Sequence, residues 1–116
     1  MTNSPGRTAR AGLGHAGLLD RIDEVVSVTE VGRFKPHPEV YAHALRLQPA
    51  QAAQTWFVAG HWWDTTGAGR AGLRTAWVAR EEGELTGNAD PPDVRALDLR
   101  EAAAAIVAHR HGTRLV

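Results

Sequence analysis

The stretch TWFVAGHWWDTTGAGRAGLRTAWVA, residues 55–79, contains two apolar runs of strand length, separated by a segment of helical length. Neither run alternates between apolar and polar residues, which is typical of strands buried on both faces of a parallel sheet. The runs are Thr55–Ala59 and Thr75–Ala79, and the helix predicted between them spans Asp64–Ala71, with Gly72 at its C-terminal stop. The pattern therefore predicts a β-α-β unit in an α/β fold.

The rest of the chain continues this alternation of strands and helices. Because ligands of parallel sheets bind at the carboxyl ends of the strands, the residues that follow each predicted strand are the first candidates for a site: Gly60–Asp64, Arg80 and Thr29–Lys35. The elements predicted outside residues 55–79 are helices at Arg7–Leu19, Glu39–Leu47 and Leu99–His109, strands at Val25–Val28 and Val94–Leu97, and a loop over Glu81–Pro92.

Composition restricts the classes of function. The 116 residues are enough for one small domain, and 43% hydrophobic with 22% charged residues is an ordinary globular composition. The formal net charge of zero predicts neither nucleic acid nor membrane as a partner. The absence of cysteine excludes disulfides and thiolate nucleophiles. No apolar run reaches the roughly 18–20 residues of a membrane span, and no signal peptide is visible, so a cytoplasmic location is expected.

Three short motifs occur in a fixed order, at intervals of 33 residues from Thr2 to Lys35 and 29 residues from Lys35 to Asp64. The motifs are Thr2-Asn3, the segment Lys35-Pro36-His37-Pro38-Glu39-Val40-Tyr41, and His61-Trp62-Trp63-Asp64 followed by Gly67-Ala68. With these motifs in this order, the chain resembles the C-terminal half of a haloacid dehalogenase (HAD) superfamily protein, and more narrowly a type II 2-haloacid dehalogenase. The resemblance implies the C-terminal part of a Rossmann-like parallel-sheet core.

The resemblance also implies roles for individual residues. As catalytic residues it implies Lys35, Asp64, Thr2 and Asn3, and as substrate-binding residues Tyr41 and His61. Lys35, the single lysine of the chain, would neutralise a reacting carboxylate, and Asp64 would hold Lys35 and orient water. Thr2 and Asn3 would donate hydrogen bonds to a substrate oxygen.

Structural alternatives stay open for four of these residues. Lys35 would otherwise be a solvated surface lysine and Asp64 a helix N-cap. Tyr41 would pack its ring on its helix, and His61 would be packed beside tryptophan.

The residues after Ala59 also indicate whether a metal ion is expected at the site. Superfamily phosphatases usually place two acids at this point to hold magnesium through oxygen ligands. Here the first of those positions is His61, so a metal-independent dehalogenase is favoured, with no metal site and no cofactor. The expected partners are a small-molecule 2-haloacid, in a full-length parent protein, and a second copy in a homodimer.

The family's nucleophile is an aspartate in an Asp-x-x-Gly-Thr segment followed by a helical cap, and the 116 residues contain no such segment. We therefore expect residues 1–110 to be a partial HAD-like core without its first strand and cap, and residues 111–116 to be a tail. Three hypotheses remain: a truncated dehalogenase that is inactive alone, a fragment of a HAD-type phosphatase, or a non-enzymatic interaction module on the same fold. The status of the chain as an enzyme stays open.

Overall fold

The computed structural model describes residues 1–110, with the side chain of Arg110 excepted. Residues Met1–Pro49 form one compact unit, and a second unit begins at Ala50. The predicted tail at residues 111–116 lies outside the described residues, and so does His111, one of the histidines in which the sequence shows no metal-ligand spacing.

The first unit contains two helices and one isolated parallel bridge. Helix α1 spans Gly6–His15 and helix α2 spans Pro38–Arg46. Helix α1 is shorter than the predicted helix because Gly17, at a φ of 71°, turns the chain into the left-handed region. The N–H of Leu18 then bonds to the carbonyl of Leu13, which closes the helix end in a Schellman arrangement.

The strand predicted at Val25–Val28 is wrong. Only Ser27 pairs, in a parallel bridge with Thr2, and a 3₁₀ turn begins at Val28. The cause is a capping box: the Ser27 hydroxyl accepts from the N–H of Thr29, while the carboxylate of Glu30 accepts from the N–H of Ser27. These side-chain bonds replace the extended pairing that the β-branched residues favour.

The second unit is a three-stranded parallel sheet with helices, in agreement with the predicted α/β class. Strands β1, β2 and β3 lie side by side in chain order, with Phe57 opposite Thr75 and Ala76 opposite Val94. The elements are β1 at Trp56–Ala59, α3 at Trp62–Arg70, β2 at Arg74–Val78, β3 at Val94–Ala96 and α4 at Leu99–Arg110.

The two helices of this unit cover opposite faces of β2. Ala76 and Val78 pack with Ala102 of α4 in the hydrophobic core. A Cβ placed at Gly69 of α3 would lie 3.6 Å from Cγ2 of Thr75, whose side chain points to the other face of the strand. Strand β2 is therefore buried on both faces, as predicted.

Strand β1 departs from the prediction of two buried faces. Val58 is 38% exposed, and the other residues of the strand are half-buried. A continuous apolar run therefore marks the strand correctly but overstates its burial.

Candidate functional site

Thr2 and Asn3 both use their side chains to order the first unit. The Thr2 hydroxyl accepts a hydrogen bond from the N–H of Ser4 at 3.0 Å. The side-chain oxygen of Asn3 accepts from the backbone N–H of Lys35 at 2.9 Å. The structure thus brings Asn3 and the segment of Lys35 together across 32 positions of sequence.

Lys35 is half-buried, and Tyr41 has no exposed surface at all. Tyr41 and its sequence neighbour Val40 are the buried residues of helix α2. Burial is compatible with both interpretations of Tyr41, so ring packing on the helix and contact with a substrate both stay predictions.

A second side-chain contact in this unit joins Glu30 and His43, which no sequence motif relates to each other. Nε2 of His43 on α2 lies 3.2 Å from Oε1 of Glu30, whose other oxygen accepts from the N–H of Ser27. These two hydrogen bonds lower the pKa of Glu30 from its ordinary value of 4.5, the bond from Ser27 having the larger effect. The Glu30–His43 contact joins the residues on either side of the Lys35 segment.

In the second unit, helix α3 begins at Trp62, two residues before the predicted start, and His61 occupies the N-cap position. The interpretation of Asp64 as an N-cap is therefore wrong: Asp64 is the third residue of the helix. Its side chain is buried, with 4% of the residue exposed. A carboxylate buried in the first turn of a helix benefits from the N–H groups and the dipole at that end.

Glu82, in the loop after β2, explains the early start of the helix. Its Oε1 accepts a 2.7 Å hydrogen bond from the N–H of Trp62 and a 3.2 Å bond from the indole Nε1 of Trp77. Trp77 is fully buried, and its Nε1 also lies 3.3 Å from the carbonyl of Gly60. A side chain 20 positions away in sequence thus satisfies the first N–H of α3.

His61 is held by two neighbours. Its ring stacks on that of Trp63, with 5.2 Å between the ring centroids and 12° between the planes. Its Nδ1 lies 3.3 Å from Oε2 of Glu82. His61 remains 56% exposed and lines an open cavity of about 240 Å³ together with Gly60, Val78, Arg80 and Glu81.

Sequence reasoning missed Glu82 because it lies in a polar segment interpreted as a loop. The one available signal was position, since Glu82 follows the end of a buried strand by a few residues. Within residues 1–110, no three His, Cys, Asp or Glu side chains gather as metal ligands. In the same part of the chain, no helix is long and apolar enough to cross a membrane.

The fold and these motifs match a known family. A family model described as haloacid dehalogenase-like hydrolase matches residues 1–78, which is more than half of the chain. The chain belongs to the haloacid dehalogenase-like hydrolase family. This confirms the resemblance seen in the sequence motifs.

This family member is similar both to proteins named 2-haloacid dehalogenase and to proteins named pyrophosphatase. The chain is 31% identical over 100 residues to the (S)-2-haloacid dehalogenase of Pseudomonas sp. (strain YL), a match that covers 86% of this chain and 43% of the relative. It is 33% identical over 79 residues to the pyrophosphatase PpaX of Bacillus cereus (strain ATCC 10987 / NRS 248), covering 68% of this chain and 37% of the relative. The chain therefore spans less than half the length of these curated relatives.

The solved structures agree with this family assignment. The L-2-haloacid dehalogenase from Xanthobacter autotrophicus, with chloropropionic acid covalently bound, superposes with a TM-score of 0.80 at 25% identity. The match covers 92% of this chain and 52% of that structure. The parallel α/β core is thus shared with a HAD dehalogenase.

Proposed function

We propose that this chain carries the substrate-positioning and charge-stabilising residues of a hydrolase that removes halide from 2-haloacids. The observation that carries the proposal is the end of β1, where His61 stands in place of the first acid and the buried Asp64 is the carboxylate of the motif. The relatives named 2-haloacid dehalogenase support the substrate class.

In the reaction implied by the family, a carboxylate oxygen attacks the carbon that bears the halogen. A carbon–oxygen bond forms, the carbon–halogen bond breaks, and the halide leaves with its electron pair. Water then adds to the ester carbonyl and releases a 2-hydroxy acid, a proton and the original carboxylate. The attacking aspartate is not present in an Asp-x-x-Gly-Thr segment of these 116 residues, and we propose that the chain alone does not turn over.

Residues of the first unit are suited to stabilising charge. The ammonium of Lys35 would stabilise a carboxylate, with its backbone held by Asn3. Thr2 and Asn3 would contact substrate oxygens, and Tyr41 would lie near the substrate carboxylate.

In the second unit, Asp64 would orient water, and His61 would contact the substrate. The carboxylate that contacts His61 belongs to Glu82, and its other oxygen accepts hydrogen bonds from Trp62 and Trp77. Magnesium prefers oxygen ligands, and the imidazole of His61 at the first acid position supplies none, which supports metal-independent chemistry.

The test is a fusion of this chain to the upstream core strand and cap of the Pseudomonas strain YL relative. We expect chloride release from (S)-2-chloropropionate that persists in excess chelator, and no chloride release from the unfused chain. Asp64→Asn in the fusion should abolish release, and p-nitrophenyl phosphate should not be hydrolysed.

The pyrophosphatase relative supplies the competing function. Phosphate release that chelator stops and magnesium restores would establish a phosphatase. Chloride release by the unfused chain, abolished by Asp64→Ala, would show that the nucleophile lies within these residues.

A further inference from the structure

We propose that Glu82 is a positioning residue that holds His61 as the tautomer with its proton on Nδ1, so that Nε2 is left as a hydrogen-bond acceptor. The inference rests on the proposed function only in placing His61 at the substrate site. Its geometric basis is the carboxylate of Glu82. This group contacts Nδ1 of His61, the first N–H of α3 and the buried indole of Trp77.

The tautomer follows from what each group can donate. An ionised carboxylate has acceptor oxygens and no hydrogen, so a bond between Oε2 of Glu82 and Nδ1 of His61 requires the ring to supply the proton. A neutral imidazole carries one N–H, and Nε2 then holds only a lone pair. A hydrogen bond at one ring nitrogen commonly fixes the tautomer of a histidine in this way.

The carboxylate itself cannot easily turn to offer a different group. Its Oε1 is held by two donors, the N–H of Trp62 and the indole of the fully buried Trp77. Oε2 is therefore directed to the ring of His61, whose plane is also fixed by stacking on Trp63. Two constraints thus act on one exposed side chain.

This arrangement changes what His61 can do. With the proton on Nδ1, neutral His61 binds a hydrogen-bond donor, such as water or a hydroxyl group, through Nε2. The other charged groups that line the same cavity are Arg80 and Glu81, and Asp64 lies in the adjoining first turn of α3.

The first experiment uses the unmodified chain. Ring ¹⁵N shifts are recorded at about pH 9, well above the ordinary histidine pKa of about 6.5, and His61→Gln assigns the signals. We expect a protonated-type shift at Nδ1, and at Nε2 an unprotonated-type shift tens of ppm downfield. The opposite pattern overturns the inference, whereas the dehalogenase proposal is tested separately by halide release.

The second experiment uses Glu82→Gln, which keeps the shape of the side chain. Its amide oxygen must face the donors of Trp62 and Trp77, so its NH₂ group faces Nδ1 and forces that atom to accept. We expect the tautomer to invert, with the proton on Nε2. The Trp77 indole N–H signal reports that the fold is retained, and Glu84→Gln, which removes a nearby exposed carboxylate, should leave the wild-type pattern. An unchanged tautomer in a folded E82Q chain would refute the positioning role.

Discussion

The side-chain oxygen of Asn3 accepts a 2.9 Å hydrogen bond from the backbone N–H of Lys35. One predicted site residue therefore sets the backbone position of another. The backbone of Thr2 is held in the same unit by two hydrogen bonds. Its N–H donates to the carbonyl of Val26, and its carbonyl accepts from the N–H of Val28. The Thr2-Asn3 motif is thus part of the structure that holds the Lys35 segment.

Asn3→Leu removes the acceptor for the Lys35 N–H while keeping a similar volume. We expect the free energy of unfolding to fall by about 1 kcal/mol, because a half-buried donor loses its partner. Amide exchange at Lys35 should accelerate, as measured by NMR. Asn3→Asp retains an oxygen at the same place and serves as the control. Equal exchange rates at Lys35 in the Leu and Asp variants would contradict the proposed bond.

Lys35→Ala in the fused enzyme should lower the rate of halide release by about 10²–10³-fold, the usual effect of losing one electrostatic stabiliser. Lys35→Arg should not restore it, because a planar guanidinium does not replace a compact ammonium. The exposed neighbour Arg33, changed to Ala, is the matched control for loss of a positive charge. If Arg33→Ala and Lys35→Ala reduce the rate equally, Lys35 has no special role.

Two carboxylates make the stability of the fold sensitive to acid. The pKa of Glu30 is held below 4.5 by its hydrogen bonds from Ser27 and His43, and that of Asp90 below 3.8 by its bond with Arg70. A carboxyl whose pKa is lower in the folded state stabilises the fold above its unfolded pKa, and this contribution is lost as the pH falls through the folded value. The thermal midpoint should therefore fall once the pH drops below about 4.5.

Glu30→Gln should reduce this acid-induced loss, because Gln keeps a capping-box oxygen for the N–H of Ser27 but does not titrate. The measurement is the thermal midpoint by circular dichroism between about pH 6 and pH 3. Glu84→Gln, at an exposed position, controls for the change in net charge. A midpoint that falls as steeply in E30Q as in the parent chain would rule out Glu30 as a source of the acid sensitivity.

Gly72→Ala should lower the free energy of unfolding by about 1–2 kcal/mol, the usual cost of a non-glycine residue in the left-handed region. Gly72 has a φ of 95° and ends α3 in a Schellman arrangement, in which the N–H of Leu73 bonds to the carbonyl of Ala68. Urea unfolding measures the loss. Gly87→Ala, where an added Cβ has no atom within 4 Å, should be nearly neutral. Similar losses in both variants would mean that backbone conformation at Gly72 is unimportant.

The sequence by itself predicted the α/β class, the positions of β2 and α4, and the glycine that ends α3. These features follow from local physics: a continuous apolar run is stable when covered on both faces, and glycine tolerates a positive φ. Local reasoning failed at Val25–Val28, where the preference of β-branched residues for strands lost to the side-chain bonds of Ser27 and Glu30.

Only the tertiary structure decided where α3 begins and what His61 contacts. Glu82 lies 20 positions beyond Trp62 in the chain, and no periodicity or spacing relates the two residues. Their contact exists because parallel pairing of β1 with β2 brings the carboxyl ends of both strands to one edge of the sheet. The side chain of Glu82, in the loop after β2, therefore determines both the start of α3 and the surroundings of His61. A local sequence pattern does not reveal such a contact.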